Sequence, residues 1–307
     1  MEAPTEMSQH SLARRAFLAA VPLAAASGSA MAMAADDNPM RPVPIPAGVT
    51  AMQGYAEVAG TRLWYWDTGG NGVPVVMLHP ASGSAEIWSY QQPAFAHAGY
   101  RVIAYSRRGY FNSLPVPDTD PGTAAGDLKA LADFLDLKAF HIVATAGGCA
   151  FANDFALSYP DRLRSMVLAS GLGGVTDADY LATVAALTPS GYGDLPIEFR
   201  ELGPSYRAAN PDGTQEWLAR TKRAITGKRR GQTFLNKISW DALKSQKKPV
   251  MLLSGDADLN APPSITRMFA TRFPDCRLAT VAEAGHSSHW ERPDEFNRIV
   301  LKFLSQH

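Results

Sequence analysis

The chain lacks several features that would quickly fix its partners. It has no charge imbalance, with 29 Lys and Arg residues against 29 Asp and Glu residues among 307. A nucleic-acid partner would call for a basic surface, and none is indicated. The one compact basic cluster, Lys228-Arg229-Arg230, reads as a solvated helix end. Only two cysteines occur, Cys149 and Cys276, so at most one disulfide could form within the chain. The apolar run from Phe17 to Ala26 is too short and too alanine-rich for a stable span of about 20 residues, so no membrane insertion is expected. No metal-ligand cluster and no glycine-rich phosphate loop is visible, and no cofactor is expected.

What is present begins with an export signature. Ala13-Arg14-Arg15-Ala16-Phe17-Leu18 resembles a twin-arginine signal, and small residues then lead to an A-x-A-like cleavage site at Ala32-Met33-Ala34. Residues 1–34 are therefore read as a signal peptide, and the mature protein as periplasmic or secreted. No cysteine near the cleavage point offers a lipid anchor. Glu2 and Glu6 balance Arg14 and Arg15, so the mature form stays neutral.

After a proline-rich lead-in, Tyr55 to Trp66 reads as two strands around Gly60. Apolar runs of strand length then alternate with amphipathic stretches. The strands are Val75–Leu78, Arg101–Tyr105, Ala139–Ala144, Leu163–Ala169, Pro249–Ser254 and Arg277–Val281. Helical patterns fall at Thr123–Leu135, Cys149–Tyr159, Ser264–Phe273 and Pro293–Ser305. Such alternation implies an α/β domain with a mainly parallel sheet covered on both faces. From Gly173 to Lys248 no strand is expected and several helical segments are. The expected organisation is thus a core of residues 35–172 and 249–307 with a helical insertion over 173–248.

The chemistry-bearing segments follow in order. His141-Ile-Val-Ala-Thr-Ala146-Gly147-Gly148-Cys149 reads as a buried strand, a tight turn and a helix start. That is the setting of a nucleophile elbow, but Gly-x-Ser-x-Gly becomes Ala144-Thr145-Ala146-Gly147-Gly148, with alanine where the nucleophile would stand. Val75-Val-Met-Leu-His79-Pro80-Ala81 matches the strand-to-loop segment that often reads His-Gly-x. Tyr105-Ser106-Arg107-Arg108-Gly109 matches the segment after the next strand, with Ser106 read as a turn residue. Ser254-Gly255-Asp256-Ala257-Asp258 carries an acid loop, and Ala284-Gly285-His286 through Glu291-Arg292-Pro293 carries a Gly-His loop with a downstream helix start.

Together these segments resemble the α/β-hydrolase superfamily over essentially residues 52–307 apart from the insertion, which falls where that superfamily places its cap. The resemblance implies an eight-stranded, mainly parallel sheet with a helical cap and a Ser-His-Asp type triad in the order elbow, Asp258, His286. Ala146 takes the nucleophile position, His286 the base and Asp258 the acid, with Asp256 the lesser candidate. The implied oxyanion donors are the backbone N–H groups of Ala81 and Gly147. Proline at position 80 removes one donor and stiffens the loop. His79 is read as a structural hydrogen-bonder and His289 as packing at the edge of the site. The superfamily's strand order also sets Cys149 and Cys276 several strands apart, too far for a disulfide.

Alanine at position 146 leaves three readings open. The chain is a Ser→Ala form of a serine hydrolase, a ligand-binding pseudoenzyme, or a catalyst in which His286 and Asp258 activate water or take a substrate proton directly. A matched Asp258–His286 pair argues against long drift without catalysis, and Thr145-Ala-Gly-Gly resembles Thr-Ser-Gly-Gly forms of ester-cleaving members. Tyr180, Tyr192, Phe199, Tyr206, Trp217, Phe234 and Trp240 make the insertion aromatic. Most are expected to hold it to the core; an apolar pocket among them would suit a small uncharged ester or lactone.

Overall fold

The computed structural model describes residues 41–307, apart from residue 59, residues 118–119, residue 172 and residues 227–230. The signal peptide expected over residues 1–34 and the basic cluster at residues 228–230 lie outside the described residues. Eight strands form one sheet: β1 (Met52–Val58), β2 (Thr61–Asp67), β3 (Pro74–Leu78), β4 (Arg101–Tyr105), β5 (Phe140–Thr145), β6 (Leu163–Ala169), β7 (Val250–Gly255) and β8 (Cys276–Val281). Their order is β1-β2-β4-β3-β5-β6-β7-β8. β1 pairs antiparallel with β2 and β2 with β4, and every later pairing is parallel. The expected sheet is therefore the observed one, with strand ends displaced by a residue at β3, β5, β7 and β8 and the first hairpin running from Met52 to Asp67 rather than from Tyr55 to Trp66.

Apolar side chains alternate between the two faces, as the two-residue repeat of a strand requires. Val76, Leu78, Ile103, Ile142, Ala144, Met166 and Leu252 join one core, while Val75, Met77, Val102, Val143, Val167 and Leu253 join the other. Being covered on both sides, β3, β5 and β7 read as near-continuous apolar runs, broken in β5 by the buried His141. β8 lies at the edge, and Arg277, Leu278 and Thr280 are exposed there.

The helices are α1 (Gln91–His97), α2 (Ala124–Phe134), α3 (Gly147–Ser158), α4 (Ala178–Leu187), α5 (Ile197–Glu201), α6 (Pro204–Ala209), α7 (Pro211–Ala224), α8 (Trp240–Lys244), α9 (Pro263–Ala270), α10 (Ser288–Glu291) and α11 (Pro293–Leu304). Helices α4 to α8 all fall between β6 and β7, and no sheet strand lies among the described residues of that interval. Its aromatics divide. Tyr180 and Trp240 pack edge-on against each other and against Phe269 of α9, and Tyr206 and Trp217 are buried with the second core, whereas Phe199 and Phe234 are exposed. No helix among the described residues is long and apolar enough to cross a membrane.

The turn from β5 into α3 is a tight steric fit. A Cβ on Gly148 would lie 2.5 Å from the carbonyl oxygen of Leu78 and 2.9 Å from that of His79. Only glycine lets α3 approach the end of β3 so closely. Gly148→Ala is expected to lower stability by about 1–3 kcal/mol through overpacking. A fall in the urea midpoint checks it, and an unchanged midpoint would show that the β3 loop yields freely.

Candidate active site

The loops that follow β3, β5, β6, β7 and β8 all leave from the carboxyl ends of parallel strands, where open α/β sheets bind ligands. Three of the five described non-glycine residues with positive φ sit on these ends: Ala146 (φ 48°), Ser170 (φ 51°) and Glu283 (φ 53°). A non-glycine residue held there costs about 1–3 kcal/mol, and such strain gathers at functional sites. Ala146 combines φ 48° with ψ −120° at the N-terminus of α3. Its N–H donates to Ala169 O (2.9 Å), and its carbonyl accepts from Cys149 N–H (3.0 Å). The elbow backbone is therefore fully formed around a methyl side chain.

His286 and Asp258 meet. The Nδ1–H of His286 donates to the Asp258 carboxylate, at 2.9 Å from Oδ2 and 3.1 Å from Oδ1. Both side chains are buried. Oδ1 of Asp258 also accepts from the N–H groups of Asn260 (2.8 Å) and Ala261 (2.9 Å). Burial pushes the Asp258 carboxyl up, but the His286 charge and these hydrogen bonds outweigh it and hold it below the ordinary value. Burial likewise pulls the His286 imidazole down, while Asp258, followed by Glu201 and Glu291, more than offsets this and leaves it raised. Asp256 is exposed, and Glu283 instead accepts from Ser205 Oγ (2.5 Å).

Ala81 and Gly147 adjoin, since a Cβ on Gly147 would lie 3.3 Å from the Ala81 nitrogen. The Ala81 loop is braced from behind. Tyr110 Oη donates to Ala81 O (3.2 Å), and the Arg107 guanidinium donates to the carbonyls of His79 (2.6 Å) and Pro80 (3.1 Å). His79 Nδ1–H donates to Pro80 O (2.7 Å), and its Nε2 accepts from Arg107 N–H (3.1 Å). Burial, then the Arg107 charge, drives its pKa well below the ordinary value, so His79 is a neutral structural group. Ser106 is buried in its turn, its Oγ 3.4 Å from the Ala85 nitrogen.

Cys149 and Cys276 are both free thiols. Burial raises the Cys149 pKa far from the thiolate range, and its Sγ lies 3.5 Å from Ala169 O, which suits packing rather than attack. His289 is buried with its ring 5.0 Å from that of Trp88, and burial lowers its pKa to about 3.

Three further residues contribute in ways that their sequence context did not assign. Glu201, at the end of α5, accepts from Ser82 Oγ (2.6 Å) and, through its carbonyl, from Ser287 N–H (3.0 Å). It thus joins the loop after β3 to the loop after β8. Asn260 Nδ2 lies 3.1 Å from His286 Nε2. Glu291 is buried and accepts from the N–H groups of Gly203 (2.7 Å), Gly285 (2.9 Å) and Ser287 (3.1 Å). A cavity of about 330 Å³ opens elsewhere, walled by Trp64, Trp66, Trp88, Phe111, Glu86 and Arg220, and none of the expected triad or oxyanion residues lines it. Among the described residues, no group of three His, Cys, Asp or Glu side chains could hold a metal ion.

This fold and these loops define a class. A model of the alpha/beta hydrolase family matches residues 75–299, and the chain belongs to that family. It is 30% identical over 264 residues to a 2-hydroxy-6-oxo-6-phenylhexa-2,4-dienoate hydrolase of Comamonas testosteroni, covering 80% of this chain and 92% of that one. It is 26% identical over 256 residues to a 2-hydroxy-6-oxononadienedioate/2-hydroxy-6-oxononatrienedioate hydrolase of a Pseudomonas species, covering 78% and 90%. Among solved structures, it is similar to an enol-lactonase from Burkholderia xenovorans, with a TM-score of 0.65 and 22% identity over 82% of this chain and 100% of that one. A bromoperoxidase from Bacillus anthracis superposes with a TM-score of 0.68 at 23% identity, over 83% and 100%. These two share the fold.

Proposed function

We propose that this protein is an exported hydrolase of a small uncharged carboxylic ester or lactone. Its site is built for a serine hydroxyl at position 146, and it binds substrate without acyl transfer while alanine stands there. The observation that carries the reading is the buried Asp258–His286 pair, at the same end of the sheet as a residue held in the elbow conformation. A hydroxyl becomes nucleophilic when a neutral imidazole takes its proton, and the imidazolium then needs a carboxylate to orient and stabilise it. The N–H groups of Ala81 and Gly147 would receive the charge that develops on the carbonyl oxygen. Residues 173–248 would act as a cap that sets substrate size, and residues 1–34 would direct the chain to the periplasm. The hydrolase names of the similar proteins support the reaction type.

A second reading has its own observation. Residue 146 carries no hydroxyl, and the Asp258–His286 pair would then activate water directly, once water takes the place of the Asn260 amide at Nε2. A panel of aryl esters, alkyl esters and lactones, assayed with this chain and with Ala146→Ser, separates the two. Turnover confined to the Ala146→Ser form supports acyl transfer, and equal, substantial turnover by both forms supports water activation. Tight binding with turnover by neither would make the site a ligand-binding one.

A further inference from the structure

His286 has two ring nitrogens to satisfy in a site where its side chain is only 2% exposed. Asp258 takes Nδ1. In a serine hydrolase the nucleophile's hydroxyl donates to Nε2, but the methyl of Ala146 has nothing to donate. A buried nitrogen left without a partner costs about 1–3 kcal/mol. Here the Asn260 amide is the partner at Nε2, with Nδ2 at 3.1 Å. The placement comes from the acid turn itself. Asn260 stands two residues after Asp258, and its backbone N–H donates to Asp258 Oδ1 at 2.8 Å. One short turn therefore fixes the carboxylate at one side of the imidazole and an amide at the other.

We propose that Asn260 is the positioning residue for the base nitrogen of His286, holding at Nε2 the place that a hydroxyl on residue 146 would otherwise hold. This rests on the reading of His286 as the base. An amide suits the role in both protonation states. Its N–H₂ group donates to the lone pair of the neutral imidazole, and after a half-turn about the last side-chain torsion its oxygen accepts from the Nε2–H of the imidazolium. A nucleophile, water or hydroxyl, reaches the base by displacing this amide. Its oxygen then forms the bond to the substrate's carbonyl carbon while its proton passes to Nε2, and the imidazolium returns that proton to the alkoxide as the C–O bond breaks. The other titratable groups facing His286 are Asp258 after β7, Glu201 of α5, and His289 and Glu291 of α10.

The test is a ¹⁵N NMR titration of the histidine side chains in the full chain, with no substrate, in the present sequence, Asn260→Asp and Asn260→Leu. The His286 signals are assigned by their loss in His286→Gln. Asn260→Asp places a carboxylate at Nε2 and is expected to raise the His286 pKa by about one unit or more. Asn260→Leu removes the donor and is expected to move the Nε2 shift of the neutral ring while the Nδ1–H tautomer stays. The remaining histidines report whether each variant is folded. A His286 pKa unchanged in Asn260→Asp, or an Nε2 shift unchanged in Asn260→Leu, overturns the proposal. Because no turnover is read, this outcome is independent of whether any ester or lactone is hydrolysed.

Discussion

Ala146→Ser is expected to raise turnover of an aryl ester by about 10³-fold or more. Losing the serine of a triad costs on the order of 10⁶ in turnover, and the remaining site still exceeds water by about 10³–10⁴. The backbone needs no change to accept the hydroxyl, since residue 146 already has φ 48° and ψ −120°. The gained activity should be abolished by a phosphonofluoridate, because it runs through a covalent seryl intermediate. Its pH profile follows from the site's charges. Burial lowers the His286 pKa, but Asp258, then Glu201 and Glu291, bring the net above the ordinary imidazole value. The base works only when neutral, so kcat/KM should fall on the acid side with a midpoint above about 6.5. Equal rates for the alanine and serine forms, or an acid limb below that value, would reject a serine-based reaction.

What was legible in the sequence is whatever a local rule could carry. Gly147-Gly148 marked the elbow because a strand running into a helix there needs residues without a side chain, as the 2.5 Å approach to Leu78 O at Gly148 confirms. Spacing from Gly255 selected Asp258 over Asp256, and the structure places the first on His286 and leaves the second exposed. The continuous apolar runs gave the central strands because both their faces are covered. Long-range contributors left no such trace. Glu201 reaches Ser82 across 119 positions from a segment that reads simply as helix, and Glu291, read only as part of a helix start, reaches Gly203 across 88. Asn260 was within view of the acid motif. Its role shows only when the histidine loop, 26 positions on, is folded against it.

Glu291→Ala is expected to cause the largest loss of stability among single substitutions near the site, about 3 kcal/mol or more at pH 5. Glu291 is 3% exposed, and its two oxygens take the N–H groups of Gly203, Gly285 and Ser287. Alanine would strand three buried donors, each costing about 1–3 kcal/mol unless water enters. Two of those donors flank His286, and the third, on Gly203, immediately precedes α6, so the histidine loop and the interval between β6 and β7 loosen together. The loss should depend on pH. Burial raises the Glu291 carboxyl from 4.5 to about 7, with the three N–H donors pulling the other way. A carboxyl whose folded pKa lies above its unfolded one contributes stability below the unfolded value, and that contribution fades as pH rises through the folded value. The Glu-to-Ala difference should therefore be larger at pH 5 than at pH 7.5. Glu291→Gln keeps one accepting oxygen but replaces the other by an amide nitrogen that cannot accept, and should fall between the two. Urea midpoints of the three forms at both pH values check this. Midpoints that coincide, or a Glu-to-Ala gap that widens with pH, would show that the three backbone donors find other partners and that Glu291 does not brace the loop.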